Sequence, residues 1–207
     1  ITCNDSEGIN KIKDKIKRPI TTYGLSSDAD IYANNLSFDK MNSAYSLNYK
    51  NENIGKVNLN APGKHNILNS LAAIAIGFEL GLNKQTIIEG INSYQGVRRR
   101  FEIKGEVDDI IVIDDYAHHP TEVLTTIETA SVSWDRRIVA IFQPHLYSRT
   151  KEFYKDFAKA LIKSDVTIIT DIYPAREKPI EGITGQLVYQ ELKKNGHANV
   201  IYEPNLE

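Results

Sequence analysis

The chain has 207 residues, and its 25 Lys and Arg nearly balance its 27 Asp and Glu, which argues against a chain-wide electrostatic grip on nucleic acid or on an anionic membrane. Hydrophobic residues make up 41% of the chain, and no apolar run approaches about 18 residues, so we expect a folded protein that does not span a membrane. The single cysteine excludes an intramolecular disulfide framework and favours a reducing, cytoplasmic location.

The first part of the chain combines helices with a β-rich stretch. Isoleucines recur at helical spacing over Glu7–Lys17, and residues 20–60 contain alternating apolar and polar runs that are typical of half-buried strands. The strongest helix signal covers Asn66–Leu80, where apolar residues occupy more than one face, so we expect that helix to be mostly buried. A further helix is expected at Lys84–Tyr94, after Asn83 as its N-cap.

After Gly96 the pattern changes to strands that alternate with helices. The continuous apolar run Ile110–Ile113 predicts a strand that is buried on both faces. Further strands are predicted at Ile138–Phe142, Val166–Thr170 and Val200–Tyr202, with helices at 120–132, 151–163 and 184–195. This order predicts an α/β domain with an open, mainly parallel sheet, and it places a domain boundary between residues 1–95 and 96–207.

Three of the predicted strands end in polar clusters. The clusters are residues 114–120 (DDYAHHP), 143–149 (QPHLYSR) and 171–177 (DIYPARE). Because the carboxyl ends of parallel strands meet at one edge of a sheet, we expect carboxylates, imidazoles and guanidinium groups to converge there. Each cluster alone is equally compatible with a simple strand end, but three on one edge predict a ligand site.

The histidine pair and the arginine in these clusters have competing interpretations. The adjacent His118 and His119 have metal-ligating side chains, but neighbouring side chains diverge and no third ligand has zinc spacing, so no metal site is predicted. A metal-dependent hydrolase that uses Asp115 and His118 is the least favoured hypothesis. Arg149 lies where a helix begins, a position that disfavours cations, and an anionic ligand shared with the helix dipole would explain it.

Two further groups have both a binding and a structural interpretation. The run Arg98–Arg100 is too short for a nucleic-acid patch; it is either a clamp for phosphate or carboxylate or a solvated linker. His65 and Asn69 share one face of the predicted helix. They either form hydrogen bonds to the edge of a planar heterocycle or act as a helix cap and a core polar group. No G-x-x-x-x-G-K-[ST] loop occurs, so nothing in this sequence cradles a triphosphate alone.

Several motifs together resemble one family. Residues 62–73 (PGKHNILNSLAA) resemble the G-x-H-N-x-x-N-x-x-A-A helix of the Mur ligases, which build the peptidoglycan stem peptide, and residues 96–101 look like their G-V-x-R-R-F junction. Residues 114–122 (DDYAHHPTE) and 142–150 are similar to the members that join L-alanine to UDP-N-acetylmuramate. The murein-peptide recycling members are a related alternative. The resemblance covers nearly the whole chain.

The resemblance implies an ATP-dependent amide synthesis. ATP would convert the muramoyl carboxylate into an acyl phosphate, which the amine of L-alanine then attacks. Residues 1–95 would be the C-terminal part of the central ATP-binding domain, and 96–207 a Rossmann-like C-terminal domain with helices on both faces of its sheet. The implied cofactors are ATP and Mg²⁺, and the implied partners are UDP-N-acetylmuramate, L-alanine and the rest of the family's chain.

The chain is expected to be a fragment of such an enzyme. It starts at Ile1 without an initiator Met, and the family's UDP-sugar domain, phosphate loop and Mg²⁺ ligands would all lie outside it. We therefore expect the 207 residues to be inactive by themselves. The competing hypothesis is a non-catalytic module that binds a nucleotide or an amino acid.

The family's functional positions can be carried over by motif. The residues implied to hold the nucleotide are His65, Asn69, Arg100 and Asp115. The residues implied on the amino-acid side are Tyr116, His145 and Arg149, with His118 as the catalytic residue. One departure is Leu146, because many members carry Arg there, so one positive charge near the amino acid is missing.

Overall fold

The computed structural model describes residues 1–205, and the chain divides into two compact units, Ile1–Val97 and Arg98–Glu207. The division lies two residues beyond the boundary predicted from the sequence. Among the described residues, no helix combines the length and the apolar character that a membrane crossing requires.

A five-stranded mixed sheet forms the frame of the first unit. Its strands, in spatial order, are β1 (Thr2–Cys3), β2 (Thr22–Gly24), β3 (Ile31–Asp39), β4 (Asn42–Tyr49) and β5 (Glu52–Leu59). The first three strands are parallel and the last three are antiparallel. The helices are α1 (Glu7–Asn10), α2 (Lys64–Glu79) and α3 (Lys84–Asn92).

The helix predicted over Glu7–Lys17 is wrong beyond its first turn. Only α1 is α-helical, and a short 3₁₀ turn follows at Lys13–Lys15. No residue in either element is buried, and Ile12 is 46% exposed. An isolated helix of this length is marginal in water, and Ile9 and Ile16 are only half-buried, so packing does not stabilise a longer helix here.

The helix α2 packs its apolar residues against the sheet. Ile67, Leu71 and Ile74 are fully buried and join Leu47 and Val57 of the strands in one core. The predicted helix is confirmed, but its burial is partial: the residues that face the core are buried, whereas Ile76 is 51% exposed. This core fixes the first two turns of α2, where His65 and Asn69 lie.

A buried hydroxyl pair joins the sheet to α2. The Tyr45 hydroxyl lies 2.6 Å from Ser70 Oγ, which also donates to the Ile67 carbonyl. Burial raises the pKa of Tyr45 to about 12, against the opposing effect of the Ser70 hydrogen bond, so the phenol stays neutral at ordinary pH.

We expect Ser70→Ala to destabilise the chain more than Tyr45→Phe. Ser70→Ala leaves the Tyr45 hydroxyl buried without its partner, which costs about 1–3 kcal/mol, whereas Tyr45→Phe leaves Ser70 bonded to Ile67 and costs about 0.5–1.5 kcal/mol. Urea unfolding followed by circular dichroism measures both values. A larger loss of unfolding free energy for Tyr45→Phe than for Ser70→Ala would contradict the assignment of the Tyr45 hydroxyl as the donor to Ser70.

The second unit contains a hairpin, a parallel sheet and three helices. The hairpin strands are β6 (Glu102–Val107) and β7 (Ile110–Asp114). The parallel sheet has the order β10-β9-β8, with β8 at Val139–Phe142, β9 at Val166–Ile169 and β10 at Val200–Tyr202. The helices are α4 (Pro120–Ser133), α5 (Tyr147–Leu161) and α6 (Gln186–Lys194).

The predicted parallel α/β sheet is confirmed, with its helices on one face. Phe142, Ile169 and Val200 point to the core that α4, α5 and α6 share. On the opposite face, Ile141 is 69% exposed and Ile201 is 52% exposed. Within residues 1–205, the expectation of helices on both faces is therefore met on one face only.

The prediction that Ile110–Ile113 is buried on both faces is wrong. These residues lie in β7, which pairs antiparallel with β6, and Ile110 is 66% exposed. Asp108 and Asp109 form the turn with φ values of 49° and 63°. Two successive residues with left-handed backbone angles make a tight hairpin turn. The apolar run is therefore the second strand of a hairpin and not a strand of the parallel sheet.

Candidate substrate site beyond the strand ends

A cavity of about 390 Å³ opens where β7 and β8 end. All three predicted polar clusters contribute to its lining. The polar and aromatic lining residues include Arg99, Asp115, Tyr116, His118, His145 and Tyr173. The structure thus brings together side chains that are far apart in sequence, at the edge of the sheet where ligands of α/β proteins collect.

Asp115 holds the loop that precedes β6. Its two carboxylate oxygens accept hydrogen bonds from the backbone N–H groups of Phe101 (2.9 Å) and Ala117 (2.8 Å). Arg99 and Phe101 both have positive φ, at 57° and 52°, and the N–H of Tyr116 donates to the Arg99 carbonyl at 2.9 Å. Asp115 therefore fixes the irregular backbone beside the cavity.

Arg99 and Arg100 have different surroundings. The Arg99 guanidinium lies 4.8 Å from the centre of the Tyr116 ring, and its Nε is 3.4 Å from the Asp114 carboxylate. Arg99 lines the cavity, whereas the Arg100 guanidinium lies 3.6 Å from Glu122 Oε1. Motif position favours Arg100 over Arg99 as the nucleotide contact, because Arg100 directly precedes Phe101, and that choice stays a prediction.

The His118 imidazole is held in one tautomer. Its Nδ1 lies 2.8 Å from the Tyr116 carbonyl oxygen, which can only accept a hydrogen bond, so Nδ1 carries the hydrogen. In the neutral ring, Nε2 then has a free lone pair. The His118 backbone N–H donates to Glu122 Oε2 at 2.9 Å, so the first turn of α4 anchors the residue.

Glu122 joins this anchor to the start of α4. Its carboxylate also accepts from the His119 N–H at 3.1 Å and completes a capping box. Burial tends to raise the pKa of Glu122, but hydrogen bonds from the backbone N–H groups of His118 and His119 and the charge of Arg100 lower the pKa overall. Glu122 is therefore ionised at neutral pH.

His145 and Arg149 form a pair at the start of α5. Arg149 Nη1 donates to His145 Nδ1 at 3.4 Å, which requires an unprotonated Nδ1. Burial first, and then the positive charge of Arg149, lower the pKa of His145, while Glu177 opposes them. His145 is therefore a neutral ring, and the guanidinium of Arg149 retains donors for an anion.

His65 and Asn69 lie in the first unit, on the first two turns of α2. Asn69 is exposed, and its amide donates to Asn66 Oδ1 at 3.5 Å. Asn66 in turn donates to the Pro62 carbonyl at 2.7 Å, and Gly63 adopts a φ of 89° where the helix begins. Arg100 and Asp115 belong to the second unit, so the four predicted nucleotide contacts are divided between the units.

Family models match both units of the chain. One, described as "Mur ligase middle domain", matches residues 1–77, and another, described as "Mur ligase, glutamate ligase domain", matches residues 99–207. The chain belongs to the Mur ligase family. The family predicted from the sequence motifs is thereby confirmed.

Curated relatives of this Mur ligase chain share a name. UDP-N-acetylmuramate–L-alanine ligase of Geotalea daltonii is 43% identical over 202 residues, which are 98% of this chain and 44% of the relative. The ligase of the same name from Geotalea uraniireducens is 45% identical over 202 residues, with the same shares. The chain therefore spans less than half the length of these relatives.

Solved Mur ligase structures share the fold. UDP-N-acetylmuramate–alanine ligase of Thermotoga maritima has a TM-score of 0.74 at 29% identity, over 90% of this chain and 40% of the other. MurF ligase of Thermotoga maritima, solved in complex with ADP, has a TM-score of 0.67 at 16% identity, over 96% of this chain and 42% of the other. The second likeness shows the α/β fold alone.

The described residues do not fit a metal centre. In residues 1–205, no group of three or more His, Cys, Asp or Glu side chains has an arrangement able to hold a metal ion. The carboxylate of Asp115 is already engaged with two backbone N–H groups. We therefore assign no Mg²⁺ ligand within this part of the Mur ligase chain.

Proposed function

We propose that this Mur ligase chain is part of an ATP-dependent enzyme that joins L-alanine to UDP-N-acetylmuramate through an acyl phosphate. The observation that carries the proposal is the cavity that His118 and His145 line, with Arg149 bonded to His145. The shared name of the relatives at 43% and 45% identity supports the choice of substrates. A cytoplasmic location and the use of ATP with Mg²⁺ belong to the same proposal.

Arg149 is the residue we assign to the carboxylate of alanine. A guanidinium binds a carboxylate through two parallel hydrogen bonds, and one of its nitrogens is already oriented by His145. Arg149 is also in the first turn of α5, where the helix dipole stabilises an anion. An incoming carboxylate would thus compensate a cation at an otherwise unfavourable position.

His118 is the residue we assign to proton removal from the amine. An ammonium group cannot attack an acyl phosphate, so alanine must lose a proton before the amide bond forms. The hydrogen bond from His118 Nδ1 to the Tyr116 carbonyl leaves Nε2 available as the acceptor. Tyr116 lies beside both His118 and His145, and its ring would border the amino acid.

The nucleotide contacts remain a prediction from motif position. His65 and Asn69 would contact adenine, Arg100 the phosphates and Asp115 the ribose hydroxyl groups. In this structure Asp115 orders the backbone of residues 99–101, so a ribose contact would use its remaining lone pairs. Arg99 is a further candidate, because it lines the cavity that Asp115 borders.

The test is phosphate release by the longer protein that contains this chain. We expect release only when ATP, UDP-N-acetylmuramate and L-alanine are all present, and none from the 207-residue chain alone. Tight binding without phosphate release would support the non-catalytic module. Activity with a murein peptide in place of L-alanine would support the recycling ligase.

We expect Arg149→Ala to raise the KM for alanine while leaving the KM for ATP nearly unchanged. The loss of one charge-assisted pair of about 1.5–3 kcal/mol corresponds to about a tenfold to hundredfold increase. Steady-state kinetics with each substrate varied in turn measure the effect. Lys151→Ala is the matched control, because Lys151 is an exposed cation on the same helix. Equal increases for alanine and ATP would refute the role of Arg149.

A further inference from the structure

The helix α5 begins without a cap of its own. Its N-cap residue is Leu146, whose φ is 71° and whose side chain makes no capping hydrogen bond. The first N–H groups of a helix have no partners within the helix and need acceptors from elsewhere. Because His145 and Arg149 flank this point, whatever supplies those acceptors also fixes the amino-acid side of the cavity.

Glu177 supplies the missing cap from a distant loop. Its Oε2 accepts from the Ser148 backbone N–H at 2.9 Å, and its Oε1 accepts from the Ser148 hydroxyl, although the two residues are 29 positions apart. The hydroxyl hydrogen bond and then the backbone hydrogen bond lower the pKa of Glu177, so the carboxylate is ionised at neutral pH. Its negative charge lies at the positive end of the helix dipole.

The same loop also contacts His145 directly. The Tyr173 ring stacks on the His145 ring, with 5.6 Å between centroids and 27° between planes. The backbone N–H of Leu146 donates to the Tyr173 carbonyl at 3.0 Å, and the N–H of Tyr173 donates to the Pro144 carbonyl at 2.8 Å. The loop 173–177 therefore holds the chain on both sides of Leu146.

We propose that Glu177 is a positioning residue, which fixes His145 at the cavity, and Arg149 bonded to His145, by capping α5 through Ser148. Which amino acid Arg149 and His145 bind rests on the proposed function, whereas the capping of α5 by Glu177 does not. Glu177 touches neither the amino acid nor the reacting atoms in this proposal. Removal of the Glu177 carboxylate should destabilise the first turn of α5 and weaken the binding of the substrate carboxylate.

The first experiment measures amide hydrogen exchange in the longer protein that contains this chain. Glu177→Ala should speed exchange at Ser148 by about threefold to thirtyfold, the range expected for loss of a helix cap. The control is Glu181→Ala, because Glu181 is an exposed acid four residues further along. Exchange at Ser148 in that control should match the unmodified chain.

The second experiment measures kinetics in the longer protein. Glu177→Ala should raise the KM for alanine by about threefold to thirtyfold and leave the KM values for ATP and UDP-N-acetylmuramate unchanged. Glu177→Gln should recover part of the loss, because its amide oxygen still accepts the Ser148 N–H. A purely structural role would alter all three KM values alike.

The outcomes separate this proposal from the proposed function. Unchanged exchange at Ser148 overturns the capping, and equal increases in the three KM values overturn the positioning role. If the unmodified protein releases no phosphate with alanine, the proposed function fails. The exchange measurement then still decides whether Glu177 fixes the start of α5.

Discussion

Replacing His118 with Asn should lower kcat by about a hundredfold to ten-thousandfold, the usual contribution of a positioned general base. The Asn amide retains a donor for the Tyr116 carbonyl, which lies 2.8 Å from His118 Nδ1, so the loop should keep its conformation. What the variant loses is Nε2, the atom assigned to accept the proton of the alanine ammonium group. The KM for alanine should therefore change little.

The pH dependence of the His118→Asn variant provides a second readout. Without its base, the enzyme depends on alanine that is already deprotonated, so kcat/KM for alanine should keep rising as the solution becomes more alkaline. His119→Asn is the matched control, because Asn at the N-cap of α4 preserves the cap that His119 now provides. A His118→Asn enzyme with wild-type kcat would exclude the general-base role.

The parallel part of the fold follows from short-range patterns in the sequence. The apolar runs at 138–142 and 166–170 became β8 and β9, because each strand buries apolar side chains against the helices; β9 lies between β8 and β10, and β8 lies at the edge of the described sheet. The rule that such strands end at one edge accounts for the clusters after β8 and β9, whereas the cluster after β7 reaches the same cavity from the hairpin. Periodicity and strand order alone were sufficient for these features.

Features that depend on individual backbone angles or distant partners were not predictable. The hairpin depends on left-handed angles at Asp108 and Asp109, which a sequence without glycine at the turn does not signal. The helix α5 begins at Tyr147, four residues before its predicted start at 151, with a cap from Glu177. The positive φ of 57° at Arg99 likewise has no signal in the sequence.

The close approach of α6 to β9 leads to the largest expected effect on stability. A Cβ built on Gly185 would lie 2.1 Å from the Thr170 carbonyl oxygen and 3.1 Å from its carbon, both backbone atoms at the end of β9. Gly185 has an ordinary φ of −58°, so space and not backbone conformation requires glycine here. Gly185→Ala must displace α6 from the sheet.

We expect Gly185→Ala to destabilise the second unit by about 3 kcal/mol, at the upper end of the usual range for overpacking. Trp134 is the only tryptophan in the sequence and lies in this unit, stacked at 6.0 Å on Phe101, so its fluorescence during thermal or urea unfolding reports the loss. The matched control is Gly105→Ala, because nothing lies within 4 Å of a Cβ at Gly105, and its effect should stay within about 0.5 kcal/mol.

The displacement should also reach the cavity, because the Gly185 N–H donates to Asp171 Oδ1 at 3.1 Å, just before Tyr173. Tyr173 stacks on His145, so a shift at the end of β9 moves a ring that borders the proposed amino-acid site. Gly185→Ala should therefore raise the KM for alanine as well as lower stability, whereas Gly105→Ala should do neither. Equal stability of the two variants would show that α6 can shift without strain and would remove the structural reason for glycine at this position.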